Sequence, residues 1–185
     1  MRISGGQYRG RVLATPPGKN TRPTAGRTRE SIFNILDHND WCTLSAARVI
    51  DLFAGSGALG FDALSRGAEF CLFVETDANA RGIIRDNIES LGLFGATRIH
   101  RRDATDLGKK PAPLGEPFDL VFLDPPYHKD LGEKALAELI NGGWLAENTL
   151  AIFECAADED PQTPGWETLD QRTYGAAKVL FLRQH

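Results

Sequence analysis

The chain has 185 residues, enough for one well-buried core and few for two, and its 42% hydrophobic and 25% charged composition is that of an ordinary globular protein. No apolar run approaches bilayer-spanning length, and Met1-Arg2 opens without a signal-peptide pattern. Cys42, Cys71 and Cys155 have neither zinc-ligand nor disulfide-framework spacing, so a membrane protein, a disulfide scaffold and a zinc module are disfavoured, and a reduced, cytoplasmic protein is expected.

The net charge of −4 argues at first against a nucleic-acid partner, but its distribution reverses that argument. Residues 1–29 hold seven basic side chains and no acid, which leaves 14 basic and 25 acidic residues in the remainder, a balance of −11. A basic segment on an acidic body is the footprint of a polyanion contact, and Arg2, Arg9 and Arg11 supply forked donors for phosphates. The plainer reading is a solvated tail.

In chain order, Arg2–Leu13 reads as a short β-hairpin with glycine turns, and Thr15–Thr24 as an extended loop that includes Lys19. A helix is expected from Gly26, where Ile32, Phe33, Ile35 and Leu36 make an apolar stripe. Strands are then expected near Arg48–Phe53, Phe70–Glu75, Thr97–Arg102, Phe118–Asp124 and Leu150–Glu154. Helices are expected near Ala58–Arg66, Asp77–Leu91 and Leu131–Asn141, the second capped by Asp77 and stopped by Gly92. Ala156–Gly165 is an acidic surface connection, and Trp166–Arg172 and Ala177–Arg183 form a hairpin about Tyr174-Gly175-Ala176. Cys71 and Cys155 fall within apolar strand runs, as core filler. Alternating strands and helices imply an α/β fold, a doubly wound and mostly parallel sheet with its last strand antiparallel.

Two motifs carry chemistry. The run Val49-Ile50-Asp51-Leu52-Phe53 leads into Ala54-Gly55-Ser56-Gly57-Ala58-Leu59-Gly60, and Glu75 closes the next strand about 20 residues on. Glycines allow a sharp strand-to-helix turn and close approach by a ligand, while an acid after the second strand suits ribose hydroxyls. The spacing is literally that of a dinucleotide site, so a nicotinamide or flavin enzyme competes. Asp51 disfavours it, because a carboxylate there repels a pyrophosphate and suits a cationic ligand. S-adenosylmethionine, with a sulfonium, an ammonium and no phosphate, fits better. The second motif, Asp124-Pro125-Pro126-Tyr127, follows an apolar strand. Its prolines stiffen the chain and remove two donors, leaving the Asp124 carboxylate and the Pro125 carbonyl as rigid acceptors beside a ring able to stack on a flat partner. The bland alternative is a stiff loop with a surface tyrosine.

Together Asp51–Gly57, Glu75, Asp103-Ala104 and Asp124–Tyr127 resemble the motifs of class I amino-methyltransferases, a Rossmann-like fold. Met1–Gly6, Tyr8–Arg11, Thr21–Thr24, Arg27–Leu36 and the closing Tyr174-Gly175 and Lys178–Phe181 are similar to the RsmD family, over essentially the whole chain. That resemblance implies S-adenosylmethionine as cofactor and methylation of a guanine N2 in 16S ribosomal RNA, within an assembling small subunit; nothing in the sequence demands a dimer, and a monomer is expected. It implies a basic RNA-contacting extension at 1–25, a catalytic domain at 26–185, and Arg22, Arg27 and Arg29, with Thr24, closing over cofactor or RNA.

The roles that follow are these. Asp51 and the turn Phe53-Ala54-Gly55-Ser56-Gly57 hold the methionine end. Glu75-Thr76 takes the ribose, and Asp103-Ala104 the adenine, although Asp103 beside Arg101 and Arg102 also reads as a plain loop acid. Asp124, Pro125, Pro126 and Tyr127 form the catalytic segment, which needs no metal. His128 alone among the histidines lies near the site, as a rim contact. The catalytic segment would serve adenine N6 equally well, and a binding module that has lost turnover is a third reading.

Overall fold

The computed structural model describes residues 1–17 and 23–185; the expectations for Lys19, Thr21 and Arg22 fall outside the described residues. Its elements are α1 (Pro23–Asp37), β1 (Arg48–Leu52), α2 (Ala58–Ser65), β2 (Phe70–Val74), α3 (Ala78–Leu91), β3 (Thr97–His100), β4 (Phe118–Leu123), α4 (Leu131–Asn141), β5 (Leu145–Ala156), β6 (Trp166–Tyr174) and β7 (Ala177–Gln184). The seven strands form one sheet in the order β3-β2-β1-β4-β5-β7-β6. The pairs from β3 to β5 are parallel, and β7 runs antiparallel to both of its neighbours. This is the doubly wound α/β sheet that the sequence predicts. Strand order reverses between β1 and β4, so a cleft opens there beyond their carboxyl ends.

Side chains alternate across the strands, which divides the core in two. On one face Ile32 and Phe33 of α1, Phe61 of α2, and Ile84 and Ile88 of α3 pack on Val49, Phe73, Leu120 and Phe122. On the other, Leu136 and Leu139 of α4, with Leu107, Leu114 and Trp144, pack on Ile50, Leu52, Val121 and Phe153. Asp77 caps α3 as the sequence suggests, accepting from the Ala80 N–H at 2.7 Å, and Gly92 ends it at φ 67°. Cys71 and Cys155 are buried, as expected.

Most elements match the sequence reading to within one or two residues, and larger differences have physical causes. Helix α1 starts at Pro23 rather than Gly26, because a proline costs nothing at the first helical position, where its missing donor would have no intrahelical partner. Strand β5 starts at Leu145 rather than Leu150. The ladder with β4 shifts register between Phe118 and Leu120, Asn148 takes φ 60°, and the Thr149 hydroxyl donates to the Phe118 carbonyl at 2.8 Å. Polar Glu147-Asn148 is thus a bulge inside a strand and not the end of one. Finally, the amino-terminal hairpin is a single bridge, Arg2 to Val12.

The rest of that segment is drawn onto α2 instead of pairing with itself. Gln7 N–H donates to the Ser65 carbonyl at 2.8 Å, Tyr8 N–H to Ser65 Oγ at 2.9 Å, and Ser65 Oγ to the Gly5 carbonyl at 2.5 Å. Gly6 is required here: it sits at φ 76°, and a Cβ would lie 1.9 Å from the Ser65 carbonyl oxygen. Ile3 and Leu13 belong to the core of the α1–α3 face, and burying each contributes about 1.5–3 kcal/mol. No described helix is long and apolar enough to cross a membrane.

Candidate active site

Sheet register builds the site. Leu52 pairs with Val74 and Leu123, and Leu123 with Phe153. Alternation therefore places Asp51, Glu75, Asp124 and Glu154 at or just past neighbouring strand ends, on the α1–α3 side. Parallel strands that end in acids make a row of carboxylates along one lip of the cleft.

The cleft has two chambers. The larger, about 780 Å³, is lined by Glu75, Thr76, Asp103 and Ala104 at one end and by Asp124, Pro125, Pro126 and Tyr127 at the other. The smaller, about 190 Å³, is lined by Asp51, Ala54 and Ser56 from the glycine turn, by Arg29 and Ile32 from α1, and by Glu154. Phe53, Gly55 and Asp124 line both, so they form the passage between the chambers.

The turn after β1 holds that passage open. Phe53 and Gly55 have φ of 56° and 59°, the first an uncommon conformation for a side chain of that size. A Cβ at Gly55 would meet nothing within 4 Å, so the bare backbone there faces open space. Gly57 and Gly60 have another role. A Cβ at Gly57 would lie 2.8 Å from Phe61 and 2.9 Å from Phe73, and one at Gly60 2.4 Å from Phe73. Gly57 lines neither chamber. It lets α2 pack closely on β2.

Asp51 is buried, and its Oδ2 accepts from the Gly60 N–H at 3.0 Å. Burial pushes its pKa well above the ordinary carboxylate range; the Gly60 bond opposes this, while Asp124 and Glu75 add to it. Such an acid calls for a cation. Glu75 ties the turn to β2, accepting from Gly55 N–H at 2.8 Å and from Asp77 N–H at 2.9 Å. An ionised carboxylate has about four acceptor positions, so two remain for hydroxyls. Asp103 accepts at one oxygen from both the backbone and the hydroxyl of Thr105, at 2.8 and 2.7 Å, and those bonds lower its pKa. Its second oxygen has no partner among the described residues.

At the other end the Tyr127 hydroxyl donates to Glu154 Oε1 at 2.7 Å. Asp124 is ringed by protein although its carboxyl opens onto the cleft; loss of hydration, then the neighbouring Glu154 charge, pushes its pKa up to about 7. Water in the open cleft moderates that shift, and a ligand filling the cleft restores it. Burial also raises the Glu154 pKa, against the opposing effect of the Tyr127 bond, and the Tyr127 phenol is raised by burial and then by Glu154. Glu154 has no role in the sequence reading. Its only signal was its position at the end of an expected strand, and its closeness to Asp124 follows from strand pairing that no local motif encodes. His128 lines neither chamber; its Nε2 lies 2.9 Å from Asp158 and its N–H donates to Glu159 at 2.9 Å.

The basic residues divide. Arg9 and Arg27 are exposed and have no partner among the described residues. Arg2 donates to the Gly10 carbonyl and Arg11 to the Ser90 carbonyl, each at 2.8 Å, with both side chains still at the surface. Arg29 is a correction: it is buried, with Nε 2.6 Å from Asp62 Oδ2 and Nη2 donating to the Arg2 carbonyl at 2.6 Å. It faces the smaller chamber and not a surface phosphate. Asp62 completes the knot, its Oδ1 accepting from the Ser4 N–H and hydroxyl at 2.8 Å each.

The family described as Conserved hypothetical protein 95 matches residues 1–183. The chain belongs to this family, the RsmD family. It is 36% identical over 181 residues to Ribosomal RNA small subunit methyltransferase D of Haemophilus influenzae, covering 95% of this chain and 89% of that one. Its structure matches a putative methyltransferase, yhhF, of Escherichia coli at a TM-score of 0.86 and 33% identity, covering 100% of this chain and 98% of that one. A likeness of fold alone extends to the putative methyltransferase SMU.776 in complex with SAH, at a TM-score of 0.66 and 17% identity, covering 85% of this chain and 48% of that one. This RsmD-family chain is a methyltransferase and its cofactor is S-adenosylmethionine, which the residues present fit. The passage and smaller chamber offer carboxylates to a cation, Glu75 keeps free acceptor positions, and the bare Gly55 backbone gives room.

Proposed function

We propose that the chain methylates the exocyclic N2 amino group of a guanine in 16S ribosomal RNA, using S-adenosylmethionine. The observation that carries this reading is the position of Asp124 in the passage between a chamber with room for a nucleoside and a second base and a smaller one with room for an amino acid, with Tyr127 alongside. Bound S-adenosylmethionine supplies an electrophilic methyl group on a sulfonium. Asp103 and Glu75 would hold the adenine and ribose. Asp51 and Arg29, of opposite charge in the smaller chamber, would hold the ammonium and carboxylate of the amino-acid end.

A guanine amino group is a poor nucleophile because its lone pair is delocalised into the ring. Asp124 and the Pro125 carbonyl, as fixed acceptors, stabilise that nitrogen as it becomes tetrahedral more than they stabilise the flat ground state. Tyr127 provides a face for the base, which must leave its stack to reach the cleft. A carboxylate pushed up to about 7 is also well matched to receive the departing proton near neutral pH. Exposed Arg9 and Arg27, and the surface guanidinium groups of Arg2 and Arg11, would contact phosphates.

The test is methyl transfer to small-subunit RNA, naked and as assembled particles, followed by digestion to nucleosides. N2-methylguanosine is expected. N6-methyladenosine as the product would replace this reading with the adenine alternative.

A further inference from the structure

We propose that Glu154 is a specificity-determining residue that accepts the N1–H of the target guanine, so that the catalytic corner reads the base as well as activating its amine. The proposal rests on the guanine-N2 reading and deepens it.

Glu154 follows Phe153, the register partner of Leu123, so its carboxylate stands beside that of Asp124 on the adjacent strand end. Both line the smaller chamber, Asp124 lines the larger one too, and Glu154 is only half buried. One oxygen, Oε1, is occupied by the Tyr127 hydroxyl at 2.7 Å. Because the phenol donates, this bond favours ionised Glu154 and fixes its orientation. Oε2 has no partner among the described residues. Arg29 lines the same smaller chamber, but its Nε lies 2.6 Å from Asp62 and its Nη2 donates to the Arg2 carbonyl, so neither group is directed at Glu154.

The corner therefore offers acceptors side by side: Asp124, the Pro125 carbonyl and the free oxygen of Glu154. The edge of guanine that carries N2 presents donors side by side, two N2 hydrogens and the N1 hydrogen. Adenine presents N6 hydrogens next to a bare N1 acceptor, which would face the Glu154 lone pairs unpaired. The catalytic segment alone does not separate the two bases, but a carboxylate on the neighbouring strand does. A site built to accept a hydrogen bond discriminates strongly against a base that cannot donate it.

The test uses 2-aminopurine, which keeps the amino group at C2 but has a bare N1. Once digestion has mapped the methylated guanine, ligation places guanine or 2-aminopurine at that position in small-subunit RNA, and kcat/KM is measured with the full-length protein. Wild-type protein should prefer guanine by about 10- to 100-fold, the discrimination a two-point contact to a base edge provides. Glu154→Gln still accepts from Tyr127 but can present an NH2 to a bare N1, so the preference should collapse towards unity or invert. Tyr127→Phe removes the bond that orients Glu154 but leaves its carboxylate in place, so it should slow both substrates and weaken the preference for guanine without inverting it. Comparing the ratio between proteins cancels the easier extrusion of 2-aminopurine. Equal use of both bases by the wild type would overturn the proposal without any variant, as would an unchanged preference in Glu154→Gln. A failure of the underlying reading is distinct: the wild-type digest would then contain no N2-methylguanosine.

Discussion

The acidic lip of the cleft and the basic amino-terminal segment are both dense in charge, yet opposite forces hold them. Asp51, Glu75, Asp124 and Glu154 are placed by strand register, and burial raises the pKa values of Asp51, Asp124 and Glu154, with neighbouring carboxylates adding to the rise at Asp51 and Asp124. The amino-terminal segment is placed by its charge and polar bonds, through Arg29, Asp62 and Ser65. One region stores electrostatic tension for a cationic ligand to relieve. The other spends a charge to close the fold. Charge in this molecule is therefore a functional clue only where a side chain keeps unmet capacity on the cleft.

The sharpest way to break that contrast is at Asp124. Asp124→Ala should lower the methyl-transfer rate by about 100- to 1000-fold or more, the scale of losing a group aimed at transition-state charge, while calorimetry shows a far smaller change in S-adenosylhomocysteine affinity. A rate near wild type would mean that the lip is not the catalytic corner. Next comes Asp62→Ala, which leaves Arg29 buried without its partner. Denaturant unfolding should show a loss of about 3–5 kcal/mol, as for removing one half of a buried pair. A loss below about 1 kcal/mol would return Arg29 to the surface cations.

The third test concerns pH. In the proposed mechanism Asp124 must be ionised to take the departing proton, and its pKa is raised to about 7, so kcat should fall as pH drops through that region. The two acids titrate as a pair, so the midpoint belongs to both. Glu154→Gln removes the charge that raises Asp124, and the midpoint should move to lower pH; a shift upward would contradict the coupling. Stability runs the other way. A carboxyl with a raised folded-state pKa favours the fold most fully below the unfolded value, and that contribution is lost as pH rises through the folded value. The ligand-free protein should melt lower at pH 8 than at pH 6 on this account. The smallest effect is expected at the surface: neutralising Arg9 and Arg11 together should reduce the slope of log affinity for RNA against log salt by roughly one to two. An unchanged slope would remove the segment from the interface.

Much of the sheet was legible because strand endings, glycine turns and acids are local signals, and Asp51, Glu75, Asp103 and Asp124 all lie on the cleft where such signals place them. What stayed hidden depends on non-local partners. Glu154 gains meaning only when Phe153 is set beside Leu123. Arg29 resembles Arg27 until Asp62 is found beneath it. Gly57 resembles Gly55 until Phe73 is seen under one and open space beside the other. The early part of β5 was hidden because Glu147-Asn148 reads as a turn, and only the ladder with β4 reveals a bulge.

That bulge acts as a phase adjuster. Between Leu145 and Leu150 β5 takes five steps where β4 takes two, and that odd surplus decides which side of the sheet each later side chain meets. Deleting one residue there would turn Glu154 into the apolar layer under α4 and send Phe153 towards the cleft, with Asp124–Tyr127 itself untouched. The position of the acid at one strand's tip is thus tied to the count of residues before it, and a length change there would take Glu154 off the cleft.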